Sequence, residues 1–394
     1  MSKKKTKKII PLTLHELFTK NEVNSDFLNS LNSHGTKKDH FLEIHGDIHA
    51  INMRFGDAID VYSNLSNPTW KTKEKLAYCL YCNEDYHQAL ELYSSAPTKQ
   101  STISYCFNAF SLLEGRQWAS DEIKSKIKPL LERIFASGVP PVIAYDILDI
   151  VYGYTIDDSE NRIGWLTQGT KAYPNNQLVL SPYAKLALAH PFKNLEDVCE
   201  LLNPAISIES TANFIWLGYT IAVRAKHKAA EQWFSFLNSK ASYSNKLWLW
   251  LAAAEELLKS GDIEKADDFY KAVIDEKDKF EINNDEHVEI NSDIFIYAIR
   301  GRLSVALLKN NSKSIQDHTK SLADSLENRP VEYYQCPDMI INDVFLPFVI
   351  DNEILNYESS FDLLSYKDVI TNTELTEKNT AILNLHFALC ERDD

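Results

Sequence analysis

The sequence is poor in the residues that interrupt regular structure. Only 11 glycines and 13 prolines occur among 394 residues, too few turn formers for a domain built from many short strands. The hydrophobic fraction of 44% and the charged fraction of 25% are ordinary for a globular chain, which argues against disorder of the whole molecule. Stretches rich in Ala, Leu, Glu and Lys favour helices. Composition therefore predicts an all-α fold.

Long hydrophobic runs and a cysteine framework are also lacking. No segment reaches the roughly 18 consecutive apolar residues that indicate a membrane span. The apolar core at residues 9–12, which follows the Lys-rich start, is too short for a signal peptide. Six cysteines in a chain of 394 residues do not make a disulfide framework. These absences predict a cytoplasmic protein with no membrane contact.

Positive charge is scarce outside the amino terminus. The formal net charge is −15, and five lysines stand among the first eight residues, so residues 9–394 sum to −20 (−15 minus the five lysine charges). Because an acidic body repels phosphate backbones, we do not expect nucleic-acid binding except through the tail between Lys3 and Lys8. A protein partner with a basic segment suits this charge better. The alternative is an acidic surface that is only solvated.

Motifs for catalysis are absent as well. The sequence holds no nucleotide-binding loop, dinucleotide fingerprint, nucleophile elbow or His-Glu-x-x-His helix, so we expect neither an enzyme active site nor a cofactor. Cys79 and Cys82 have metal-ligand spacing, and His45, His49 and His87 could complete a site only if the fold brought them together. Because no second cysteine pair stands at zinc-finger distance, we interpret both cysteines as core thiols and predict no metal site.

A spacing of small and aromatic residues recurs along the chain. Gly46 precedes Ala58 by 12 residues, and Tyr62 follows 4 residues later. Antiparallel helices cross closely only where small residues face each other, and an aromatic residue one turn onward fills the gap beside the next pair. The same template fits Ala77, Ala89 and Tyr93, then Gly218, Ala230 and Phe234, and then Ala254, Ala266 and Tyr270.

These residues resemble the tetratricopeptide repeat, whose period is about 34 residues. The fragments that match its pattern best are Phe214-x-x-Leu217-Gly218 and Tyr86-x-x-Ala89-x-x-x-Tyr93-x-x-Ala96-Pro97. His45 and Lys73 depart from the pattern, and residues 100–210 match it poorly. The resemblance implies an α-solenoid of antiparallel helix pairs with atypical capping helices at the carboxyl terminus.

The pattern predicts four segments. Two short amphipathic helices, at residues 14–18 and 27–31, either pack against the repeats or form a detachable docking peptide. Loops are expected at residues 138–141 and 155–161, and an exposed acidic loop at residues 276–291. The cap is expected to hold a buried helix at residues 345–350 and a final helix at residues 380–389. The segments are residues 1–37 (Lys-rich tail and short helices), 38–190 (N-terminal repeats, partly degenerate), 191–330 (C-terminal repeats) and 331–394 (helical cap).

The resemblance also implies which residues would face a partner, because the first helix of each tetratricopeptide pair lines a concave groove. In the N-terminal pairs this correspondence gives carboxylates beside phenol rings, which can hold a basic segment by charge-assisted hydrogen bonds and cation–π contacts. Family members that bind acidic chaperone tails use a Lys and Asn clamp at these sites, so that subclass is not expected. The positions are Glu43, Asp47, Glu74, Tyr78 and Tyr81.

The C-terminal pairs give a more apolar strip by the same correspondence. Such a strip suits an amphipathic helix or a neighbouring subunit, and it consists of Ile215, Tyr219, Trp248, Leu251 and Glu255. We therefore expect a non-catalytic protein-binding adaptor or scaffold. The sequence leaves open a helical subunit of an enzyme complex or a ligand-sensing regulator, as well as the oligomeric state.

Overall fold

The computed structural model describes residues 12–19, 38–98, 100–136, 138–276, 288–327, 344–359 and 361–390. Helices dominate these ranges, which confirms the prediction of a mainly helical chain. The chain divides into two compact units, Met1–His190 (unit 1) and Pro191–Asp394 (unit 2). The Lys-rich tail and the short helix predicted at residues 27–31 lie outside the described residues.

Unit 1 is a succession of helices that pack in chain order. Helix α2 packs on α3, α3 on α4, α4 on α5, α5 on α6 and α6 on α7. In addition α4 contacts α6, α6 contacts α8 and α8 contacts α10, so the even-numbered helices form one layer. The helices are α1 (Leu14–Thr19), α2 (Lys38–Ile51), α3 (Phe55–Ser63), α4 (Trp70–Cys82), α5 (Tyr86–Ser94), α6 (Thr102–Leu113), α7 (Asp121–Ala136), α8 (Ile143–Tyr152), α9 (Ser159–Ala172) and α10 (Gln177–Ala189).

Polar residues set the starts of several of these helices. The side chains of Thr69, Ser101 and Asn176 accept hydrogen bonds from backbone N–H groups in the first turns of α4, α6 and α10, which satisfies donors that have no partner inside the helix. The loop predicted at residues 138–141 separates α7 from α8, as expected. The loop predicted at residues 155–161 is shorter, because α9 already begins at Ser159.

At two helix crossings in unit 1, an aromatic ring lies directly against a glycine. A Cβ atom on Gly46 would lie 2.5 Å from the Tyr62 ring, so only glycine lets that ring lie against α2. In the poorly matching middle of the chain the roles are reversed, because Tyr145 of α8 lies against Gly169 of α9. This crossing therefore does not follow the order of the template, in which the small residue precedes the aromatic one.

Helices in unit 2 also pack on their neighbours in chain order. Helix α12 packs on α13, α14 on α15, α15 on α16 and α16 on α17, while α12 contacts α14 and α14 contacts α16. The elements are α11 (Leu195–Leu202), α12 (Ala212–Arg224), α13 (Ala229–Lys240), α14 (Tyr243–Lys259), α15 (Ile263–Asp275), α16 (Val288–Leu308), α17 (Ser312–Glu327), β1 (Val344–Ile350), β2 (Glu353–Ser359), a 3₁₀ turn (Leu364–Tyr366), α18 (Lys367–Thr371) and α19 (Glu377–Cys390).

One crossing in unit 2 differs from its prediction by a single residue. Trp233 of α13 is fully buried and lies against Gly218 of α12, and Ala229 is the buried small residue one turn before it. The predicted pair, Ala230 and Phe234, is only half-buried. The prediction was wrong because an aromatic residue stands four positions after each of two adjacent alanines, and spacing alone does not choose between them.

The buried helix predicted at residues 345–350 is a strand. Strands β1 and β2 pair antiparallel, with Phe348 opposite Leu355. Asp351 and Asn352 form the turn between them with φ angles of 52° and 64°, a left-handed conformation that suits two-residue hairpin turns and that Asp and Asn tolerate. The final helix predicted at residues 380–389 is confirmed by α19.

Two further expectations concern exposed and apolar segments. Helix α16 begins at Val288, so the acidic loop predicted at residues 276–291 is wrong for its last four residues, and residues 277–287 lie outside the described chain. Among the helices that the structure describes, none combines the length and the apolar character that crossing a membrane requires.

Candidate functional site

The structure buries most of the positions predicted to face a partner. Six of these positions are buried and four are half-buried. Their contacts with a partner stay predictions. The buried positions are Asp47, Glu74, Ile215, Tyr219, Leu251 and Glu255, and the half-buried positions are Glu43, Tyr78, Tyr81 and Trp248.

A buried ion pair joins α2 to α4 in unit 1. The Lys75 Nζ atom lies 2.7 Å from Asp47 Oδ1 and 2.8 Å from Glu43 Oε1, and both Lys75 and Asp47 are fully buried. The Tyr62 hydroxyl donates a hydrogen bond of 2.7 Å to the same Asp47 oxygen. Burial raises the pKa of Asp47, and Lys75 opposes that rise. A buried pair of this kind needs every remaining polar atom to be satisfied.

Glu74 is also used inside the unit rather than at its surface. The indole Nε1 of Trp70 donates a 2.7 Å hydrogen bond to Glu74 Oε1, and Ser101 at the start of α6 contacts the same oxygen at 3.4 Å. Glu74 therefore ties α4 to the start of α6. Polar side chains that were predicted to meet a partner therefore link the first helices of successive pairs.

Helix α1 covers the layer formed by α2, α4 and α6, which we name the first-helix face of unit 1. The backbone N–H of Leu12 donates a 2.8 Å hydrogen bond to Asp47 Oδ2, so the second oxygen of the buried carboxylate is satisfied by the segment before α1. Leu14 and Leu17 are 2% and 3% exposed. Helix α1 contacts α2, α4 and α6. The first of the two short helices thus packs against the repeats, one of the two outcomes that the sequence left open.

Apolar side chains hold α1 in place. Leu14 packs among Ala77, Leu80 and Phe107, and Leu17 lies in a second cluster with Ala50, Ala58 and Cys79. The Phe18 ring lies 5.5 Å from the Phe107 ring and 6.4 Å from the Tyr78 ring, both in edge contacts. Each of these apolar residues of α1 therefore meets side chains of the first-helix face.

A group of aromatic rings, of which Tyr81 and Phe110 are half-buried, continues the first-helix face beyond Phe18. The Tyr81 ring lies 5.5 Å from Phe107, 5.8 Å from Phe110 and 5.8 Å from Tyr86. We name Tyr81, Phe107 and Phe110 the aromatic cluster. Burial raises the pKa of Tyr81 to about 12, so its hydroxyl stays protonated and can donate a hydrogen bond at neutral pH. Such rings offer apolar area with a polar edge.

The β-hairpin covers the corresponding face of unit 2, formed by α12 and α14. Both strands contact α14, and β2 contacts α12. The Trp216 indole Nε1 donates a 3.1 Å hydrogen bond to the Asn356 carbonyl, and the Asn213 backbone N–H donates one of 2.7 Å to Glu353 Oε2. The Trp216 ring meets the Phe348 ring at 5.4 Å. The hairpin is therefore held by hydrogen bonds between side chains and backbone groups as well as by apolar contacts.

The predicted apolar strip of unit 2 is part of this packing. Tyr219 lies between the rings of Trp216 and Phe234, at 5.3 and 5.6 Å. The Tyr270 hydroxyl donates a 2.8 Å hydrogen bond to Glu255 Oε1. The Trp248 ring meets Tyr297 at 6.2 Å. Ile215 and Leu251 are fully buried on α12 and α14.

Of the residues weighed for a metal site, the two cysteines pack inside unit 1, whereas His87 is exposed. Cys79 is buried and Cys82 half-buried, and both are free thiols. Burial raises the pKa of Cys82 to about 11, so its thiol is protonated at neutral pH. His45 and His49 contact each other at 4.5 Å between ring centroids. The described part of the chain contains no group of three or more His, Cys, Asp or Glu side chains arranged to hold a metal ion.

Sequence reasoning missed the roles of Tyr62, Lys75 and Tyr270. A usable signal exists for the tyrosines, since in both cases an acid directly follows the small residue of the template and the tyrosine stands 15 residues after that acid. Lys75 carries no comparable signal. It reaches across 28 residues to Asp47, and periodicity within α4 does not report such a pairing.

No protein-family model matches the chain, and comparison with curated proteins found no similar sequence. The consecutive helix packing is compatible with a helical repeat solenoid.

Proposed function

We propose that this protein is a non-catalytic, cytoplasmic adaptor or scaffold that binds a partner protein along the first helices of tetratricopeptide-like repeats. The observation that carries the proposal is that both units already hold a segment on this layer of helices. Unit 1 holds α1 against α2, α4 and α6, and unit 2 holds the hairpin against α12 and α14. The first helices hold a helix in unit 1 and a hairpin in unit 2, and this suits each of these layers to binding polypeptide segments.

The finer description of the fold belongs to this proposal. Each unit is a short α-solenoid, in which every helix pair buries its apolar side against the next pair and one layer of helices faces the ligand. The support comes from the contacts of α4 with α6, α6 with α8 and α12 with α14. Solenoids of this kind bind through extended surfaces rather than through a deep catalytic pocket.

The aromatic cluster is the proposed contact for a partner in unit 1. Tyr81 and Phe110 are half-buried, so they keep area that a partner can cover, and tyrosine is enriched among residues that dominate binding energy. Aromatic rings also accept the cationic side chains of a basic segment. The net charge of −15 favours the approach of such a segment.

The test is affinity purification of the tagged full-length chain from its native cells, followed by quantitative mass spectrometry. We expect Tyr81→Ala with Phe110→Ala to reduce partner recovery at least about tenfold, because truncating interface anchors of this kind costs about 2 kcal/mol or more. The control is Trp118→Ala, which removes an aromatic side chain that is 64% exposed outside the cluster. Equal recovery with both variants, each melting as the wild type does, would refute the aromatic cluster as a binding site.

A further inference from the structure

We infer that the first-helix face of unit 1 is a binding site for a short amphipathic helix, and that α1 is an intrachain occupant which a partner helix of the same pattern displaces. The inference rests on the proposed function for the existence of a partner, and it adds what that partner presents. It follows from how α1 is built, from what it supplies to Asp47, and from its place in the packing order.

Helix α1 has the pattern of a ligand helix. Leu14, Leu17 and Phe18 stand at positions i, i+3 and i+4, which lie on one side of a helix. The opposite side carries His15, Glu16 and Thr19, which are exposed. Apolar anchors on one side and polar residues on the other are what a helix bound in an apolar groove requires.

Neighbouring residues in the sequence determine where α1 begins, whereas packing on the first-helix face keeps the segment helical. The Thr13 N–H donates a 2.8 Å hydrogen bond to Glu16 Oε2, and the Glu16 N–H donates one of 3.2 Å to Thr13 Oγ1. This reciprocal pair is a capping box. With 6 residues, α1 is far below the roughly 12 to 15 residues at which an isolated helix becomes even marginally stable in water. Its helical state therefore depends on docking.

Asp47 sets a polar requirement for any occupant. Its Oδ1 atom is used by Lys75 and Tyr62, and its Oδ2 atom accepts the Leu12 N–H. When the segment before α1 leaves, Asp47 Oδ2 loses this donor and is left to water, so an occupant that supplies a donor at the same place binds more favourably than one that does not. A displacing segment must therefore supply a donor two residues before its first apolar anchor. A free backbone N–H can do this, and so can a lysine or arginine side chain.

The position of α1 in the packing order makes it separable. Helices α2 to α7 each pack on their neighbour in sequence, so these crossings do not depend on α1. Helix α1 instead contacts α2, α4 and α6, the first helices of three successive pairs. It lies across the layer as a bound segment would.

The experiment measures binding of a fluorescent synthetic peptide of residues 9–20 to the full-length chain. The released variant is Leu14→Glu with Leu17→Glu, which places charges at two buried positions of α1. The matched control, His15→Glu with Thr19→Glu, adds acids at two exposed positions of the same helix. We expect the released variant to bind the peptide at least tenfold more tightly than the wild type or the control. A peptide carrying Leu14→Glu and Leu17→Glu should not bind.

A released variant that melts cooperatively but binds the peptide no more tightly than the wild type would overturn the inference. Hydrogen exchange on the wild-type chain covers the case of a variant that does not fold. We expect the backbone amides of residues 12–19 to exchange at least tenfold faster than those of residues 77–80 in α4. This exchange should occur through a local opening, so low denaturant should not raise its rate. Equal exchange with equal denaturant dependence would make α1 an integral part of the core and would refute displacement.

The two proposals fail separately. If partner recovery depends on Tyr81 and Phe110 but the peptide test fails, the adaptor proposal stands and the proposal that α1 is a displaceable occupant is rejected. If the released variant binds the peptide but partner recovery does not depend on the aromatic cluster, the helix-binding site stands and the aromatic cluster is rejected as the contact surface.

Discussion

The repeat tyrosines occupy the same template position but have different polar surroundings. The hydroxyls of Tyr62 and Tyr270 donate to the buried carboxylates of Asp47 and Glu255. The Tyr93 hydroxyl is buried without a hydrogen-bond partner among the described residues. Packing explains why an aromatic ring stands at all three positions, whereas the hydroxyl contributes to stability only where an acid follows the small residue.

We predict that Tyr62→Phe lowers the free energy of unfolding by about 1–3 kcal/mol, because it removes a donor from a buried charged acceptor. Tyr93→Phe is the matched control and is expected to leave the free energy of unfolding unchanged or to raise it, because the hydroxyl that it removes is buried without a partner. Urea denaturation of the full-length variants measures both values. Equal losses would show that the Asp47 contact contributes nothing beyond ring packing.

His318 gives unit 2 a defined pH dependence. It lies on α17, where burial and then the charge of Arg302 lower its pKa below 6.5, while Asp267 and Asp317 oppose the shift. The folded state therefore favours neutral His318. Its contribution to stability is complete above the unfolded pKa and is lost as pH falls through the lower folded pKa.

We predict that His318→Gln flattens the decline in the free energy of unfolding as pH falls below about 6.5. The matched control is His87→Gln, which removes a histidine whose side chain is 87% exposed and should leave the decline unchanged. Urea denaturation at a series of pH values measures the slope. A slope that His318→Gln does not alter would contradict the assigned cause.

At the scale of elements, the hairpin of unit 2 depends on its turn. Asp351 and Asn352 have φ angles of 52° and 64°. The turn places Phe348 and Leu355 on the buried side, where the Phe348 ring meets Trp216. A residue that resists this left-handed conformation would strain the turn and weaken the cover over α12 and α14.

We predict that Asn352→Ala destabilises unit 2 by about 1 kcal/mol, since alanine adopts the left-handed region less readily than asparagine. The control is Asn356→Ala, an exposed position in β2 with extended backbone, which should change stability by less than about 0.5 kcal/mol. Thermal melting of the full-length variants tests both. A loss of similar size at both positions would mean that the turn conformation does not limit hairpin stability.

The sequence predicted elements well where packing has a fixed period. The pairs Ala58 with Tyr62 and Ala266 with Tyr270 were found because small and aromatic residues recur at helix-crossing distances. The hairpin was missed because the apolar run at residues 345–350 fits a buried helix or a buried strand equally well by periodicity. The pair Asp351-Asn352 was the available signal, since such residues favour two-residue turns.

The candidate site was predicted less well than the fold. The resemblance placed Asp47 and Glu74 on the first helices, which is where they lie, but it assigned their oxygens to a partner. In the structure those oxygens are used by Lys75, by Trp70 and by Leu12, which is 35 residues from Asp47. Contacts over such separations depend on how helices stack, and no local pattern reports them.

At the scale of the whole molecule, the net charge does not show which acids can contact a partner, because some acids are used inside a unit. The chain carries −15, but part of this acidity is internal. Asp47 and Glu74 are buried, and Glu256 lies 3.0 Å from Arg224. Acids that are paired inside a unit add to the long-range field but cannot meet a partner directly, so they affect the rate of approach rather than the contacts in a complex.

Two charge reversals separate these effects. Glu43→Lys with Glu74→Lys changes the formal net charge from −15 to −11, because each substitution adds two, and Asp60→Lys with Glu91→Lys makes the same change at exposed positions. We predict that the first variant lowers the free energy of unfolding by about 3–5 kcal/mol, because it takes one of two carboxylates from the buried Lys75 and places cations at a buried and a half-buried position. The exposed pair should cost less than about 1 kcal/mol. Urea denaturation at equal ionic strength compares them, and similar small losses would show that Glu43 and Glu74 behave as the surface acids that the sequence alone suggested.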